Sequence, residues 1–404
     1  MRTLHILAAF PRSREDVIVP WLVEMLQRLR TDGIECEVFT SAYRGGGNRE
    51  YEGIPVHRFR YFFRSREDLT HDEAAPDRTR RSLLYRILPA FYLAGGSLAV
   101  WRLCRRRHYD VIHVHWPFPH ALFGWIAQWA GGGALVTTFY GAELRWVKGS
   151  MPFFTWFLAR AARRSDQVVA ISSYTAKEIA EIAPVPIEVI PYTIALPPTN
   201  GMKPGPRPDG FRVLFVGRLV ERKGVRYLVE AVASLPARIA PRLEIVGHGP
   251  ELRGLEALVS RLGIGDRVTF HGRVPEVELQ RAYAGASVLA LPSVMDRRGD
   301  TEGLGVVLLE AMNERVPVVA SDVGGITDIV QDGETGLLVP PGDAVALANA
   351  LLRLADDPIL ATGLAERGYR HLHEQFSWDS IVQRWEAIYR RVAGPIRAPT
   401  VAGR

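Results

Sequence analysis

The chain has 404 residues, of which 47% are hydrophobic and 23% are charged, an ordinary globular composition that excludes wholesale disorder. Its 37 glycines and 27 prolines follow no fixed period, which excludes a collagen-like chain. Two cysteines, Cys36 and Cys104, are too few for a disulfide scaffold or a structural zinc site, and they favour a reduced, cytoplasmic location. Because a chain of this length is too long to form a single hydrophobic core, we expect two domains of ~200 residues each.

The formal net charge of +6 is concentrated in one window, residues 58–107. This window contains twelve arginines and five acidic residues, a net charge of +7, so the rest of the chain is close to neutral. Such a local excess indicates a surface for phosphates, whether in nucleic acid, in anionic lipid or in a charged substrate.

The N-terminal half alternates short apolar runs with helical periods. The first run, 4–10, could pass for a signal peptide, but it is short and no small-residue cleavage site follows, so we interpret it as a buried strand. Further strands are predicted at 35–40, 111–115, 134–139, 168–171 and 187–190, with helices at 17–30, between 115 and 134, and after Ser172 or Ser173. This alternation predicts a parallel sheet covered on both faces. No run reaches the ~18 uncharged apolar residues of a spanning helix; the nearest, 83–101, contains Arg86, Pro89 and two glycines.

The alternation stops at two proline-rich runs, 197–201 and 204–208, where we place an interdomain linker, 197–210. After it, strands are predicted at 211–216, 243–246, 268–270, 288–291, 316–320 and 336–339, and helices at 225–235, 251–262, 344–355 and 378–392. We therefore predict domains at 1–196 and 211–376, with the helix in 377–404 returning to the first. Two doubly wound domains face a cleft at the carboxyl ends of their strands, where such sheets bind ligands.

The segment 213–224 combines glycine with positive charge. A buried strand ends at Gly217, a helix begins near Gly224, and Arg218 and Lys223 lie in the loop between them. Glycine allows close backbone approach, and free N–H groups at a helix start attract anions. Arg and Lys there would clamp a diphosphate; the alternative is two solvated charges on a surface loop. The chain has 46 arginines and only four lysines, so a lysine at position 223 departs from a strong preference for arginine. This departure favours the interpretation that Lys223 binds a diphosphate.

A second segment, 301–312, places glycines before a helix and carries Glu302 and Glu310. At ~1.5 Å of rise per residue the two carboxylates lie roughly 12 Å apart, about the reach from the sugar to the ribose of a nucleotide-sugar. Carboxylates accept hydrogen bonds from vicinal hydroxyls. The alternative for Glu302 is an acid favoured by the helix dipole. Glu310 sits inside an apolar helix, where an unpaired carboxylate is costly.

At these residues the chain resembles the retaining, metal-independent glycosyltransferases of GT-B architecture, specifically glycosyltransferase family 4. The matching motifs cover most of the C-terminal half: FVGRLVERKG (215–224), GHGPE (247–251), VTFHGRV (268–274), EGLGVVLLEAM (302–312), PVVASDVGG (317–325) and DGETGLLVPPGD (332–343). The resemblance implies two Rossmann-like domains, the first binding an acceptor and the second a nucleotide-sugar.

The resemblance also implies roles for individual residues. Arg218 and Lys223 would hold the donor diphosphate, Glu302 would contact the donor sugar near the reacting carbon, and Glu310 would bind the ribose. Catalysis by Glu302, Arg218 and Lys223 would be electrostatic. The remaining donor positions are Gly217, Arg273, Val274, Gly303, Leu304, Gly305 and Val306. No Asp-x-Asp pair is present, so we expect no metal and no cofactor beyond the nucleotide-sugar, whose base (uracil or guanine) stays open.

The N-terminal half departs from the family pattern. The usual glycine-rich loop after the first strand is replaced by 11–16, and Tyr192-Thr193 replaces the usual Asn-Gly after the last strand. Tyr140 stands where the family often has a histidine, and its phenol could still donate to a sugar hydroxyl. We expect His115, Tyr140 and Glu143 to bind a saccharide or lipid-linked acceptor.

Three histidines, His113, His115 and His120, cluster around the end of a predicted strand. They could form a metal site, but cleft-lining or core histidines, one of them facing the acceptor, are the simpler interpretation.

The basic window has three interpretations. An apolar helix flanked by arginines would lie on an anionic membrane, which suits a lipid-linked acceptor. A solvated basic face over a packed helix is the second. Nucleic acid is the third, and we do not expect it because no nucleic-acid module is visible.

The predicted function is a glycosyltransferase of surface polysaccharide or glycolipid assembly, in the cytoplasm or peripherally on the inner face of the membrane. The alternative is a non-catalytic anion- or nucleotide-binding protein of the same fold, recruited to membranes through 58–107.

Overall fold

A computed structural model describes residues 1–13, 16, 18–47, 49–70, 83–194 and 210–394. The chain divides into two compact units. The first contains Met1–Ile171, Ala176–Ile190 and the C-terminal segment that begins at Trp378, and the second contains Ser172–Thr175 and Pro191–Ser377. The chain thus enters the second unit at Pro191, whereas the predicted first domain extends to 196. Apart from Gly210, the predicted linker lies outside the described residues.

The first unit contains an eight-stranded sheet in the order β3-β4-β2-β1-β5-β6-β7-β8, parallel throughout except for the antiparallel pair β3 and β4. Its strands are β1 (Arg2–Ile6), β2 (Glu35–Ser41), β3 (Glu50–Tyr51), β4 (Ile54–Phe59), β5 (Val111–His115), β6 (Ala134–Phe139), β7 (Gln167–Ala170) and β8 (Ile187–Val189). The strand order reverses direction between β1 and β5, which makes their carboxyl ends a switch point.

The second unit contains a six-stranded sheet in the order β11-β10-β9-β12-β13-β14, in which every pair is parallel. Its strands are β9 (Arg212–Val216), β10 (Arg242–Val246), β11 (Val268–Gly272), β12 (Val288–Leu291), β13 (Val318–Ser321) and β14 (Leu337–Val339). The switch point lies between β9 and β12. The predicted class, two doubly wound α/β domains, is confirmed.

Thirteen helices lie within the described residues. They are α1 (Pro20–Thr31), α2 (Leu83–Arg106), α3 (Pro117–Gly131), α4 (Ala142–Ser150), α5 (Thr155–Arg164), α6 (Ser173–Ala180), α7 (Val225–Ser234), α8 (Leu252–Arg261), α9 (Glu276–Gly285), α10 (Val306–Asn313), α11 (Ala344–Asp356), α12 (Pro358–Gln375) and α13 (Trp378–Ala393). The helices α4, α5, α9 and α12 and the strands β3 and β4 have no counterpart in the predicted elements.

Helix α13 completes the core of the first unit, although it is the last helix of the described residues. Its residues Ile381, Val382, Trp385, Ile388 and Tyr389 are buried against α1 and against the valines of β2, β5, β6 and β7. The opposite face of the sheet is covered by α2, α3 and α5, whose buried side chains meet Leu135, Phe139 and neighbouring strand residues.

Helix α2 is long and apolar enough to span a membrane once a few charged residues are tolerated, although its uncharged run is shorter than ~18 residues. Tyr85–Arg106 meets that criterion by length and composition alone. It nevertheless packs closely against its neighbour α3, because a Cβ on Gly96 would lie 2.4 Å from the Phe123 ring. Two of its own side chains, Leu88 and Val100, are fully buried.

Candidate functional site

The loops at the carboxyl ends of β9 and β10 are in backbone contact. A Cβ on Gly247 would lie 1.8 Å from the Gly217 carbonyl oxygen, and one on Gly249 would lie 2.1 Å from that of Leu219. The Leu219 N–H donates to the His248 carbonyl at 3.1 Å. The GHGPE motif therefore needs its glycines to support the loop that contains Gly217 and Arg218.

Gly224 fixes the end of this loop. It caps α7 with φ +60°, and a Cβ there would lie 2.0 Å from the Pro292 carbonyl oxygen, so both conformation and space require glycine. The neighbouring Arg222 carbonyl accepts from the Val294 N–H at 2.8 Å. Lys223 is thereby held between the ends of β9 and β12.

The loop of Glu302 and Gly303 rests on Gly324 and Gly325. A Cβ on Gly324 would lie 2.2 Å from the Glu302 carbonyl oxygen, and one on Gly325 would lie 2.1 Å from that of Gly303. The Gly325 N–H donates to the Glu302 carbonyl at 3.0 Å. The PVVASDVGG motif is thus the support of the EGLG motif.

Lys223 and Glu302 meet in a buried ion pair, in which the ammonium donates to Oε2 of the carboxylate. Both residues are only 8% exposed. The Arg222 guanidinium lies 3.4 Å from the same Oε2 and 3.4 Å from Oδ2 of Asp300. Two cations and two carboxylates therefore form one cluster at the switch point of the second sheet.

Glu302 lies in the loop before α10, which begins only at Val306. The predicted separation of roughly 12 Å from Glu310 assumed a continuous helix from Glu302 to Glu310, and that assumption is wrong. Gly305 caps α10 in the left-handed region with φ +94°, so the N–H groups of Val306 and Val307 in the first turn have no acceptor within the helix. The Leu304 side chain is fully buried, so only its backbone is available to a ligand.

Glu310 lies one turn into α10 and is half-buried. The hydroxyl of Tyr283, on α9, donates to its Oε2. Burial raises the pKa of Glu310, while the Tyr283 hydrogen bond and the charge of Lys223 oppose this shift. One carboxylate oxygen is thus fixed by a phenol, and the group lies within the field of Lys223.

Three predicted donor residues are not members of this ion-paired cluster. Arg218 is exposed, and within the described part of the chain its side chain makes no ion pair. Arg273 and Val274 follow β11, the outermost strand of the sheet; Arg273 is exposed and Val274 half-buried.

The predicted acceptor residues come together in the first unit, at the ends of β5 and β6. His115 Nδ1 and the Tyr140 hydroxyl are hydrogen-bonded at 2.8 Å, and the Tyr140 N–H donates to Oε1 of Glu143 at 2.8 Å. The Tyr140 ring stacks on Trp116 with 4.1 Å between centroids. Glu143 is 5% exposed, and its Oε2 has no partner among the described residues. Burial raises the pKa of Glu143 to about 7, against opposing hydrogen bonds from backbone N–H groups and the charge of Arg145.

The histidine cluster differs from the predicted one. His113 and His115 lie on β5 itself and are joined by His5 of β1, whereas His120 bonds to Tyr92 and to the Trp116 carbonyl. The ligand nitrogens of His5, His113 and His115 lie within 4.8 Å of one another.

Each of their six ring nitrogens has a hydrogen bond, and the partners are Thr3, Thr138, Tyr140, Tyr389 and, between His5 and His115, one another. Burial lowers the pKa of His5 to about 3 and those of His113 and His115 well below the usual value. This arrangement favours neutral core histidines over a metal site.

Several residues of these sites are absent from the predicted set. Arg222 is adjacent to Lys223 in the motif FVGRLVERKG, so it could have been predicted as a site residue from the sequence. Tyr283 and Asp300 belong to no quoted motif. His5 becomes visible only through strand register, because β1 and β5 pair with His5 opposite His113.

Two doubly wound parallel sheets, with a cation–carboxylate cluster and a glycine-supported helix start at the second switch point, define a glycosyltransferase of GT-B architecture. The family model "Glycosyltransferase Family 4" matches residues 20–196, and the model "Glycosyl transferases group 1" matches residues 200–371. The chain belongs to glycosyltransferase family 4.

Among its relatives is the GDP-mannose-dependent alpha-(1-6)-phosphatidylinositol monomannoside mannosyltransferase of Mycobacterium tuberculosis, 34% identical over 332 residues, 76% of this chain and 84% of the relative. Another is the N-acetyl-alpha-D-glucosaminyl L-malate synthase of Bacillus anthracis, 30% identical over 312 residues, 74% of this chain and 79% of the relative. A sucrose-phosphate synthase structure from Thermosynechococcus elongatus shares the fold, with TM-score 0.72, 24% identity and coverage of 96% of this chain and 98% of that one. The chain is therefore an enzyme that transfers sugar from a nucleotide-sugar, rather than a non-catalytic binding protein.

Proposed function

We propose that the enzyme transfers a hexose, with retention of anomeric configuration, from a UDP- or GDP-sugar to a saccharide or lipid-linked acceptor in surface polysaccharide or glycolipid assembly. The observation that carries this proposal is the buried Lys223–Glu302 pair, held beside the start of α10. A cation, a carboxylate and free N–H groups at one switch point match a diphosphate joined to a sugar.

The donor would lie across the second sheet. The diphosphate would accept from the N–H groups at Gly305 and Val306 and from Lys223, and the exposed Arg218 would reach it from the Gly217 loop. One ribose hydroxyl would donate to the Glu310 oxygen that Tyr283 leaves available. The backbone of Gly303 and Leu304 would line the sugar, and Arg273 and Val274 would border the base.

The chemical step needs no covalent intermediate on the protein. The acceptor hydroxyl oxygen bonds to the anomeric carbon while the bond from that carbon to the phosphate oxygen breaks. The electron pair stays on the diphosphate, and the hydroxyl proton passes to a phosphate oxygen. Lys223 and Arg218 stabilise the charge that develops on the diphosphate, and Glu302 orients the sugar.

The same residues can supply this stabilisation without a metal, so we propose metal-independent transfer. Tyr140 and Glu143 would bind the acceptor, and the buried His115 would position the Tyr140 hydroxyl. The names of the two relatives include a lipid and a carboxylic acid as acceptors, which supports a lipid-linked or otherwise anionic acceptor. The two cysteines are free and buried, which supports a cytoplasmic location. A lipid-linked acceptor would place the enzyme on the inner face of the membrane.

The test is calorimetry of the full chain with UDP, GDP and their common hexose derivatives, followed by assay of nucleoside diphosphate release with candidate acceptors, with and without EDTA. We expect binding of one nucleotide series, release that depends on acceptor and resists EDTA, and a product anomer, read from its NMR coupling constant, equal to that of the donor. Lys223→Ala should lower kcat/KM by about 10²–10³. Arg238→Ala, which removes an exposed ion pair with Asp356 in the same unit, is the matched control. Binding of no nucleotide, or an inverted product, would contradict the proposal.

A further inference from the structure

Three neighbouring helices that cover one face of the sheet in the first unit have no acidic residue within their spans. The helices α2, α3 and α5 together include no Asp or Glu, in a chain that has 44 of them. They pack side by side over the same face of the sheet, α3 contacting both α2 and α5. Their exposed basic residues are Arg86, Arg102, Arg105, Arg106, Arg160, Arg163 and Arg164.

The same helices expose large apolar side chains. On α2, Ile87, Phe91, Leu98 and Trp101 are 37–53% exposed and form one stripe, opposite the buried stripe of Leu88, Tyr92 and Val100. The others are Trp129 on α3, Trp156 on α5, and Phe153 and Phe154 just before α5. Together with Phe63, which contacts Phe91 through Phe62, these include every exposed Phe and Trp of the described residues.

We define these arginines and exposed apolar side chains as the arginine–aromatic face. Exposed aromatic rings are costly in water, and Trp in particular favours the membrane–water interface. Guanidinium groups bind lipid phosphates, and the three helices, which have no acidic residue of their own, do not repel an anionic headgroup. The arginines and the exposed aromatic rings lie on one layer of helices, so both groups would contact the same partner.

The packing of α2 indicates whether this helix lies on a bilayer or crosses it. Tyr92 is buried and hydrogen-bonded to His120 at 3.1 Å, and Gly96 is in close contact with Phe123. If α2 crossed the bilayer, these polar and shape-matched contacts would be exposed to lipid. If α2 lies flat, its buried stripe stays packed on the first unit and only its exposed stripe contacts the lipid.

We propose that the arginine–aromatic face docks on an anionic lipid bilayer, with α2, α3 and α5 lying in its interface. This rests on the proposed peripheral location and identifies the surface responsible, which extends beyond the basic window 58–107 to α3 and α5. It does not depend on the transfer reaction, because docking requires neither donor nor acceptor.

The test is flotation of the full chain with phosphatidylcholine vesicles that contain or lack phosphatidylglycerol. We expect strong binding only to the anionic vesicles, weakened by salt. The variant R102Q/R105Q/R106Q should bind about 100-fold more weakly, at about fivefold per arginine. W129S/W156S should lower binding at least tenfold without changing its dependence on salt.

The matched control is Ile359→Ser, which removes an 86% exposed apolar side chain from the second unit and should bind like the unaltered chain. Circular dichroism melting verifies that each variant is folded. Absence of flotation with both vesicles, equal loss in the control, or a dimer that W129S/W156S dissociates would overturn the proposal. Because no sugar is present, failure here leaves the transfer reaction untouched.

Discussion

Lys223 and Glu302 neutralise each other in a buried pair that joins the end of β9 to the loop before α10. The cation that would bind the diphosphate is therefore held by the carboxylate that would contact the sugar. A nucleotide-sugar that binds both groups must replace this contact with its own. Loss of either residue consequently affects the position of the other.

Replacing Glu302 should abolish transfer and largely spare nucleotide binding. Glu302→Gln keeps the shape but removes the charge that holds Lys223, and Glu302→Ala removes both, so we expect kcat to fall by about 10²–10³. Calorimetric affinity for UDP or GDP should change far less, because the freed Lys223 can still bind phosphate. Glu366→Ala, which removes an exposed partner of Arg315, is the control. Transfer that survives Glu302→Ala would contradict the assigned role.

Tyr140→Phe should weaken acceptor use without changing donor affinity. The ring can still stack on Trp116, but His115 Nδ1 loses its hydroxyl partner. We expect the acceptor KM to rise and the free energy of unfolding to fall by about 1–3 kcal/mol. Tyr109→Phe removes a comparable buried phenol bond, to Glu37 at 2.8 Å, and should lower stability only. An unchanged acceptor KM would remove Tyr140 from the acceptor site.

Glu143 should make the stability of the first unit depend on pH. Its folded pKa of about 7 lies above the unfolded value of 4.5, so the folded chain retains a proton that the unfolded chain releases between these values. Its contribution to the free energy of unfolding therefore falls as pH rises from about 4.5 to 7, by about 3 kcal/mol. Glu143→Gln should lack this slope in urea unfolding measured across that range. Glu181→Gln, an exposed partner of Lys148, should retain it.

Gly224→Ala should destabilise the second unit, whereas Gly254→Ala should stabilise it. Gly224 has φ +60° and adjoins the Pro292 carbonyl, while Gly254 lies in α8 with open space around it. We expect a loss of more than about 1 kcal/mol for the first change and a gain of up to about 1 kcal/mol for the second, by denaturant unfolding. Equal effects at the two positions would contradict the close contact at Gly224.

The sequence predicts strands well where apolar runs are bounded by turn residues. The predicted limits of β5, β6 and β12 coincide with the observed ones. Helix starts are less visible: α1 begins at Pro20 rather than residue 17, after Val19 in the left-handed region, and α10 begins at Val306 because Gly305 caps it. Tyr283 lies on α9, for which no helix was predicted.

The motifs identify the residues of the site but not their contacts. Lys223 and Glu302 are 79 positions apart, and their pairing depends on β9 and β12 being neighbours in the sheet. The contact between His5 and His115 depends likewise on the register of β1 and β5. Local composition carries no information on such registers, which are set by the packing of whole strands.

The position of α13 has a consequence for how the enzyme is made. Tyr389 bonds to His113 at 2.7 Å, and Trp385 and Ile388 pack in the same core as Leu7. The N-terminal half therefore cannot complete its interior until α13 has left the ribosome. The second unit, whose segments are almost contiguous, can fold during synthesis, while the first waits with an uncovered apolar sheet face. A fragment truncated at the linker should therefore aggregate, and separate production of the first unit requires α13 to be joined to it covalently.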